Sequence, residues 1–99
     1  MMNRISSISS MMQLDKKFIY TDEELMKRFQ NGDENAYIEL VNRYRDKILN
    51  FIFNYIGDFE ISEDIVQDTM IKLYQKKHYY KEIAKFSTWL YTIAKNLAN

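Results

Sequence analysis

Apolar residues recur at intervals of three and four along most of the chain, the period of a helix face rather than the alternation of a half-buried strand. The first helix has a full start signal. Thr21 stands at the N-cap, Glu24 closes a capping box, and Tyr20 and Leu25 occupy the two staple positions. Leu25, Met26 and Phe29 give its buried side, and Asn31-Gly32 ends it. Asp33 then caps a second helix over 34–56, ~34 Å long at 1.5 Å per residue. Its stripe is Tyr37, Leu40, Val41, Tyr44, Ile48, Phe51, Ile52 and Tyr55, and Gly57 stops it. Ile38, Leu49 and Phe53 widen the apolar surface, either as further core or, near Phe53, as a partner contact. Ser62 is the expected N-cap of a third helix, with Glu63 and Asp64 in its first turn and part of 59–61 able to join it. Ile65, Val66, Thr69, Met70, Leu73 and Tyr74 face inward, and Asp64, Gln67, Asp68, Ile71 and Gln75 outward. A last helix opens at Phe86 or Ser87 and buries Leu90, Ile93, Ala94 and Leu97, leaving Trp89, Thr92, Lys95 and Asn96 off that row.

The pattern predicts an all-α fold, a compact bundle of about four helices. At 99 residues the chain is one domain with a modest core. Residues 1–20, rich in Met and Ser and without a sustained period, read as a flexible segment ahead of a helical domain at 21–99. With no cysteine and one histidine, disulfides, thiolate metal sites and a protein-only zinc site fall away, and no cofactor is expected. No apolar run approaches the ~18 residues of a spanning helix, and the N-terminus lacks the layout of a signal peptide. The expectation is a soluble, cytoplasmic protein with no membrane insertion.

Zero net charge conceals a division. Residues 21–68 carry five basic and twelve acidic groups, a balance of −7, whereas residues 69–99 carry six lysines and one acid, a balance of +5. An acidic body joined to a basic end suits two different partners. On the third helix Asp64 and Asp68 stand four apart, where like charges repel by ~0.2–0.5 kcal/mol on a lone helix. Ile71 beside them reads equally as a docking anchor or as an ordinary exposed apolar residue. The segment 76–85 concentrates Lys76, Lys77, Tyr79, Tyr80, Lys81 and Lys85, and one of its two tyrosines is expected on the core. His78 has no His or Cys companion and reads as a solvated side chain. A tryptophan facing outward beside lysines is the combination that holds unstacked bases.

Glu63-Asp64-Ile65-Val66-Gln67-Asp68-Thr69-Met70-Ile71-Lys72-Leu73-Tyr74 resembles the core-polymerase-binding segment of bacterial sigma factors. Phe86-Ser87-Thr88-Trp89-Leu90-Tyr91-Thr92-Ile93-Ala94-Lys95-Asn96 resembles their promoter-melting and −10-recognition segment. Gly32-Asp33-Glu34-Asn35-Ala36-Tyr37 and Arg43-Tyr44-Arg45 are similar to the opening of the family's second conserved region, and the spacing resembles the extracytoplasmic-function group. The likeness covers about residues 21–99. It implies a domain that binds core RNA polymerase at the β′ clamp coiled coil through Asp64, Gln67, Asp68 and Ile71. It further implies recognition and melting of a promoter −10 element, with the unpaired non-template strand held on the protein. On the loop, Lys77, Tyr79, Tyr80, Lys81 and Lys85 are the implied DNA contacts. On the last helix they are Ser87, Thr88, Trp89, Thr92, Lys95 and Asn96, with Trp89 as wedge or stacking platform. An anti-sigma factor is a further implied partner.

The chain departs from the family pattern at Thr92, where a basic residue is common, and at Met70 and Tyr74, where Phe and Trp are common. It carries no counterpart of the family's C-terminal helix-turn-helix domain, so promoter recognition by this part alone is expected to be weak. The alternative is a helical protein-interaction module, an adaptor or sigma decoy without DNA binding, which accounts for the acidic helix but leaves Trp89 and the lysine cluster without a role. An enzyme is not expected: there is no glycine-rich phosphate loop, no cysteine and no Ser–His–Asp set.

Overall fold

The computed structural model describes residues 19–99. The expected flexible segment falls outside these residues, apart from Ile19 and Tyr20. Four α-helices follow one another: α1 (Asp22–Gln30), α2 (Glu34–Ile56), α3 (Phe59–Gln75) and α4 (Phe86–Ala98). A single 3₁₀ turn, Lys77–Tyr79, lies between α3 and α4. None of these helices is long and apolar enough to cross a membrane.

Local chemistry accounts for the ends of α1 and α2. Thr21 Oγ1 accepts from the Glu24 amide at 3.1 Å, and the Thr21 amide donates to Glu24 Oε1 at 2.8 Å, completing the capping box. Asp33 caps α2 by accepting from the amides of Asn35 and Ala36. At the other end Gly57 takes a left-handed conformation, φ +84°, and its amide returns to the Phe53 carbonyl at 2.8 Å. A side chain there would be strained, which is why glycine stops this helix.

α3 starts earlier than the sequence suggested. Its N-cap is Asp58, whose carboxylate accepts from the Ile61 amide at 3.0 Å. Ser62 is not a cap but a fully buried residue in the first turn, its hydroxyl donating to the Asp58 carbonyl at 2.6 Å. Thr69 repeats this device two turns later, donating to the Ile65 carbonyl at 2.7 Å. Both buried hydroxyls are thus satisfied within their own helix, at no cost in unpaired polar groups.

α2 is the spine, packing against α1, α3 and α4. Ala36, Leu40, Tyr44, Ile48 and Ile52 form its buried row. Phe51 and Tyr55, expected in the stripe, are exposed, because they lie at its edge where α4 covers one flank only. Phe53 and Ile38 are exposed too, so the core-packing reading of Phe53 does not hold; its ring meets the exposed Phe59 edge-on at 6.0 Å. The core continues through Leu25, Met26 and Phe29 of α1, Ile65, Val66, Met70 and Leu73 of α3, and Phe86, Leu90 and Ala94 of α4. Phe29, Tyr37 and Tyr74 form an aromatic triad with centroids 5.0–5.4 Å apart. Tyr74 belongs to its exposed rim, not to the interior as the periodicity implied, and its hydroxyl donates to Glu34 at 2.8 Å.

Candidate functional site

Two surfaces flank α2, and each is built from a different neighbour. On the α3 side, Glu63, Asp64 and Gln67 line a groove of about 540 Å³ whose opposite wall is Val41, Arg45, Asp46 and Leu49 of α2. Asp64, Gln67, Asp68 and Ile71 are all exposed, Ile71 at 47 %. All four residues singled out for polymerase contact therefore point away from the core. Among the described residues neither Asp64 nor Asp68 has an ion-pair partner within 4 Å. Two unpaired carboxylates one turn apart, next to an exposed branched apolar side chain, form a surface that gains from a cationic partner. Arg45, Asp46 and Leu49 were not assigned to this surface from the sequence; they lie across the groove from α3, a relation no local pattern encodes.

On the α4 side, Ser87, Thr88, Thr92, Lys95 and Asn96 line a second groove of about 390 Å³ together with Phe51 and Tyr91. Tyr91 meets Phe51 edge-on at 5.0 Å. Lys95 places its ammonium 5.7 Å from the centre of the Tyr55 ring, and the Tyr55 hydroxyl donates to Asn99 Oδ1 at 2.7 Å. The groove therefore offers hydroxyls, a carboxamide, a cation and aromatic carbon on one open face. Five of the six residues expected on α4 come together here. Phe51 and Tyr91 were missed. Tyr91 was legible, since it lies four residues from both Ser87 and Lys95 on one helix face, whereas Phe51 carried the same periodic signal as its buried neighbours.

The sixth, Trp89, is placed differently. It is half-buried against the core, with ring centroids 5.2 Å from Tyr80 and 6.0 Å from Phe86, and it does not line the groove. The outward tryptophan expected from the helical wheel is a packing residue at the junction of loop and α4. Tyr80 is likewise buried, its hydroxyl donating to the Ala84 carbonyl, so Tyr80 is the one loop tyrosine that joins the core and presents no face to DNA. Burial, and after it the nearby carboxylates of Glu23, Glu82 and Asp22, pushes its phenol above the usual tyrosine range. Lys77 is also drawn inward: its ammonium lies 3.4 Å from the Phe29 carbonyl and 4.5 Å from the centre of the Phe29 ring. That cation closes the C-terminal end of α1 and is committed within the fold. Tyr79, Lys81 and Lys85 are exposed, as a DNA contact requires. Tyr79 carries the Lys76 ammonium 4.9 Å from its ring centre.

A sequence profile described as sigma-70 region 2 matches residues 40–99. The RNA polymerase sigma-H factor of Pseudomonas aeruginosa is 38% identical over 77 residues, 78% of this chain and 40% of that protein. The ECF RNA polymerase sigma-E factor of Haemophilus influenzae is 38% identical over 78 residues, covering 79% and 41% respectively. The ECF RNA polymerase sigma factor SigW of Bacillus subtilis is 38% identical over 72 residues, covering 73% and 38%. The chain thus spans about two fifths of the length of these relatives. Among solved structures, an engineered region 2 of sigma-E in complex with GTAAAA, determined by NMR, superposes with a TM-score of 0.73 at 39% identity, covering 80% of this chain and 82% of that one.

Proposed function

This chain belongs to the sigma-70 region 2 family, with relatives in the extracytoplasmic-function group of bacterial RNA polymerase sigma factors, and we propose that it docks on core RNA polymerase through α3 and receives the unpaired −10 strand of a promoter on its loop and α4. The observation that carries this reading is the separation of the two grooves. Both flank α2, they share no lining residue, and they differ in chemistry: the carboxylates of Glu63, Asp64 and Asp46 with Gln67 and Arg45 on one, beside which Asp68 and Ile71 lie exposed on α3, and hydroxyls, a lysine and aromatic rings on the other.

On the α3 side, the basic side chains of the polymerase β′ clamp coiled coil meet Asp64 and Asp68 and relieve the repulsion between them, Gln67 supplies a neutral donor and acceptor, and Ile71 enters an apolar pocket. On the α4 side, Lys95 and Lys85 hold phosphates, Ser87, Thr88, Thr92 and Asn96 bond the backbone or a base edge, and Phe51 and Tyr91 offer rings to unstacked bases. Tyr79 and Lys81 extend this surface along the loop. Trp89 contributes by seating the loop on α4 and not by entering the base stack. A duplex presents no unstacked base to these rings, so the site selects the open strand. The protein supplies binding free energy to strand separation and performs no covalent chemistry. The reading places it in the cytoplasm with the polymerase, where an anti-sigma factor that covers either groove would silence it.

The experiment is a pull-down of this chain with core RNA polymerase, followed by competition between wild type and an α3 variant. Retention that survives washing and is lost when α3 carries reversed charge supports the reading; no retention of the wild type overturns it.

A further inference from the structure

α1 carries none of the residues assigned to either groove, yet its side chains reach every element of the DNA-facing end. Glu23 Oε2 accepts from the Phe86 amide at 2.9 Å, across 63 residues of chain. Phe86 is the first residue of α4, and Lys85, its N-cap, supplies no side-chain hydrogen bond. The first amides of a helix have no acceptor within it. The Glu23 carboxylate takes the place of the missing cap and meets the positive end of the helix dipole. At the opposite end of α1, Gln30 Nε2 donates to the Lys77 carbonyl at 2.7 Å and to the Tyr80 carbonyl at 3.2 Å, the first residue of the 3₁₀ turn and the one just past its end. Next to Glu23, Asp22 accepts from Arg43 at 2.9 Å and from the Tyr44 hydroxyl, and the Tyr44 ring meets Phe86 and Tyr91 edge-on.

We infer that α1 is a brace for the DNA-facing end, with Glu23 and Gln30 as positioning residues: Glu23 fixes where α4 begins and how its groove face is turned, and Gln30 fixes the path of the loop. This deepens the proposed function and rests on it. Neither residue lines the α3-side or the α4-side groove. The brace explains why the acids of the first turn of α1 do more than cap their own helix. It also places the control of strand binding on an element distant in sequence from the segments that bind.

The test uses the full chain as wild type, Glu23→Ala, Glu23→Gln and Gln30→Ala, at a temperature where circular dichroism shows each fully helical. Strand affinity is read by anisotropy of a labelled −10 single strand, polymerase affinity by competition, and the setting of α4 by the emission of Trp89, the one tryptophan of the chain. Glu23→Ala is expected to lose about fivefold in strand affinity, or ~1 kcal/mol, and to shift Trp89 emission to the red. Glu23→Gln retains an acceptor oxygen and recovers most of both. Gln30→Ala weakens strand binding as well, and all three keep polymerase affinity within about twofold of wild type, well below the tenfold that 1.4 kcal/mol represents. The inference is overturned if Glu23→Ala binds strand like wild type, if Glu23→Ala and Glu23→Gln lose equally, or if strand and polymerase affinities fall together. Should the wild type bind no strand, the functional reading fails, and the Trp89 emission of Glu23→Ala against Glu23→Gln still decides whether the brace exists.

Discussion

Reversing the charge at Asp68 separates docking from folding. Asp68 is exposed on α3, with Asp64 one turn before it and Lys72 one turn after. In Asp68→Lys the repulsion from Asp64 becomes an attraction, a gain of roughly 0.4–1 kcal/mol from two pair effects of ~0.2–0.5 each. The same change sets a lysine against Lys72 and gives back a similar amount. Thermal stability is therefore expected to stay within about 0.5 kcal/mol of wild type, the range of surface substitutions. A docked basic partner experiences the reversal in full: one attraction is lost and one repulsion created, so affinity for core polymerase is expected to fall at least about tenfold, or ~1.4 kcal/mol. Competition of unlabelled variant against labelled wild type for core polymerase measures the ratio, and denaturant melts measure stability on the same samples. Equal competition by variant and wild type, with melts unchanged, would refute the assignment of this face. A stability loss of several kcal/mol would refute the premise that Asp68 is free of the core.

Three further outcomes follow. Thr21→Ala removes one of the two capping-box hydrogen bonds and is expected to cost ~1 kcal/mol in denaturant melts; a loss of under a few tenths would show that the cap does not hold α1. Burial first, and then the hydrogen bond to Asp22, raises the phenol of Tyr44 far above the ordinary tyrosine value, so the folded state keeps a proton that the unfolded chain releases above pH ~10. The corresponding stability is whole below that pH and is lost as pH rises beyond it, and Tyr44→Phe is expected to flatten the alkaline limb of a stability–pH curve; an unchanged limb would count against the buried phenol. Lys95→Ala is expected to weaken strand binding and reduce the slope of log affinity against log salt by ~0.7, one phosphate contact on a single strand; an identical slope would remove Lys95 from the interface.

The helical architecture was legible wherever one residue's local chemistry decides the backbone. Asp33 and Gly57 bound α2 as the sequence indicates, and the Thr21–Glu24 box starts α1. α3 defeated the reading because Asp58 and Ser62 are both good caps. The choice fell to tertiary burial, which drew Ser62 inside, where its hydroxyl back-bonds to its own helix. The outward set of α3, Asp64, Gln67, Asp68 and Ile71, was fully visible, since charged residues on one side of an amphipathic helix seldom turn inward. The α4 face was visible in its polar members only. Trp89 lies off the apolar row of α4 and Lys77 reads as a solvated loop cation, yet Tyr80 comes across to cover one and Phe29 to hold the other, and both partners arrive from elsewhere in the chain. Phe51 presents the converse: a periodic apolar residue left open because α4 covers only one flank of α2.

The most direct test of the account is the affinity of the wild-type chain for a single-stranded −10 oligonucleotide, its duplex and a scrambled strand, measured by fluorescence anisotropy with and without core polymerase. Stacking of even one base on the α4 groove is worth ~1–3 kcal/mol, so the −10 strand is expected to bind at least about fivefold more tightly than the duplex, with the preference over the scrambled strand largest when polymerase is present. If all three bind alike in both settings, strand capture is wrong, and the chain is a docking module that acts through α3 alone.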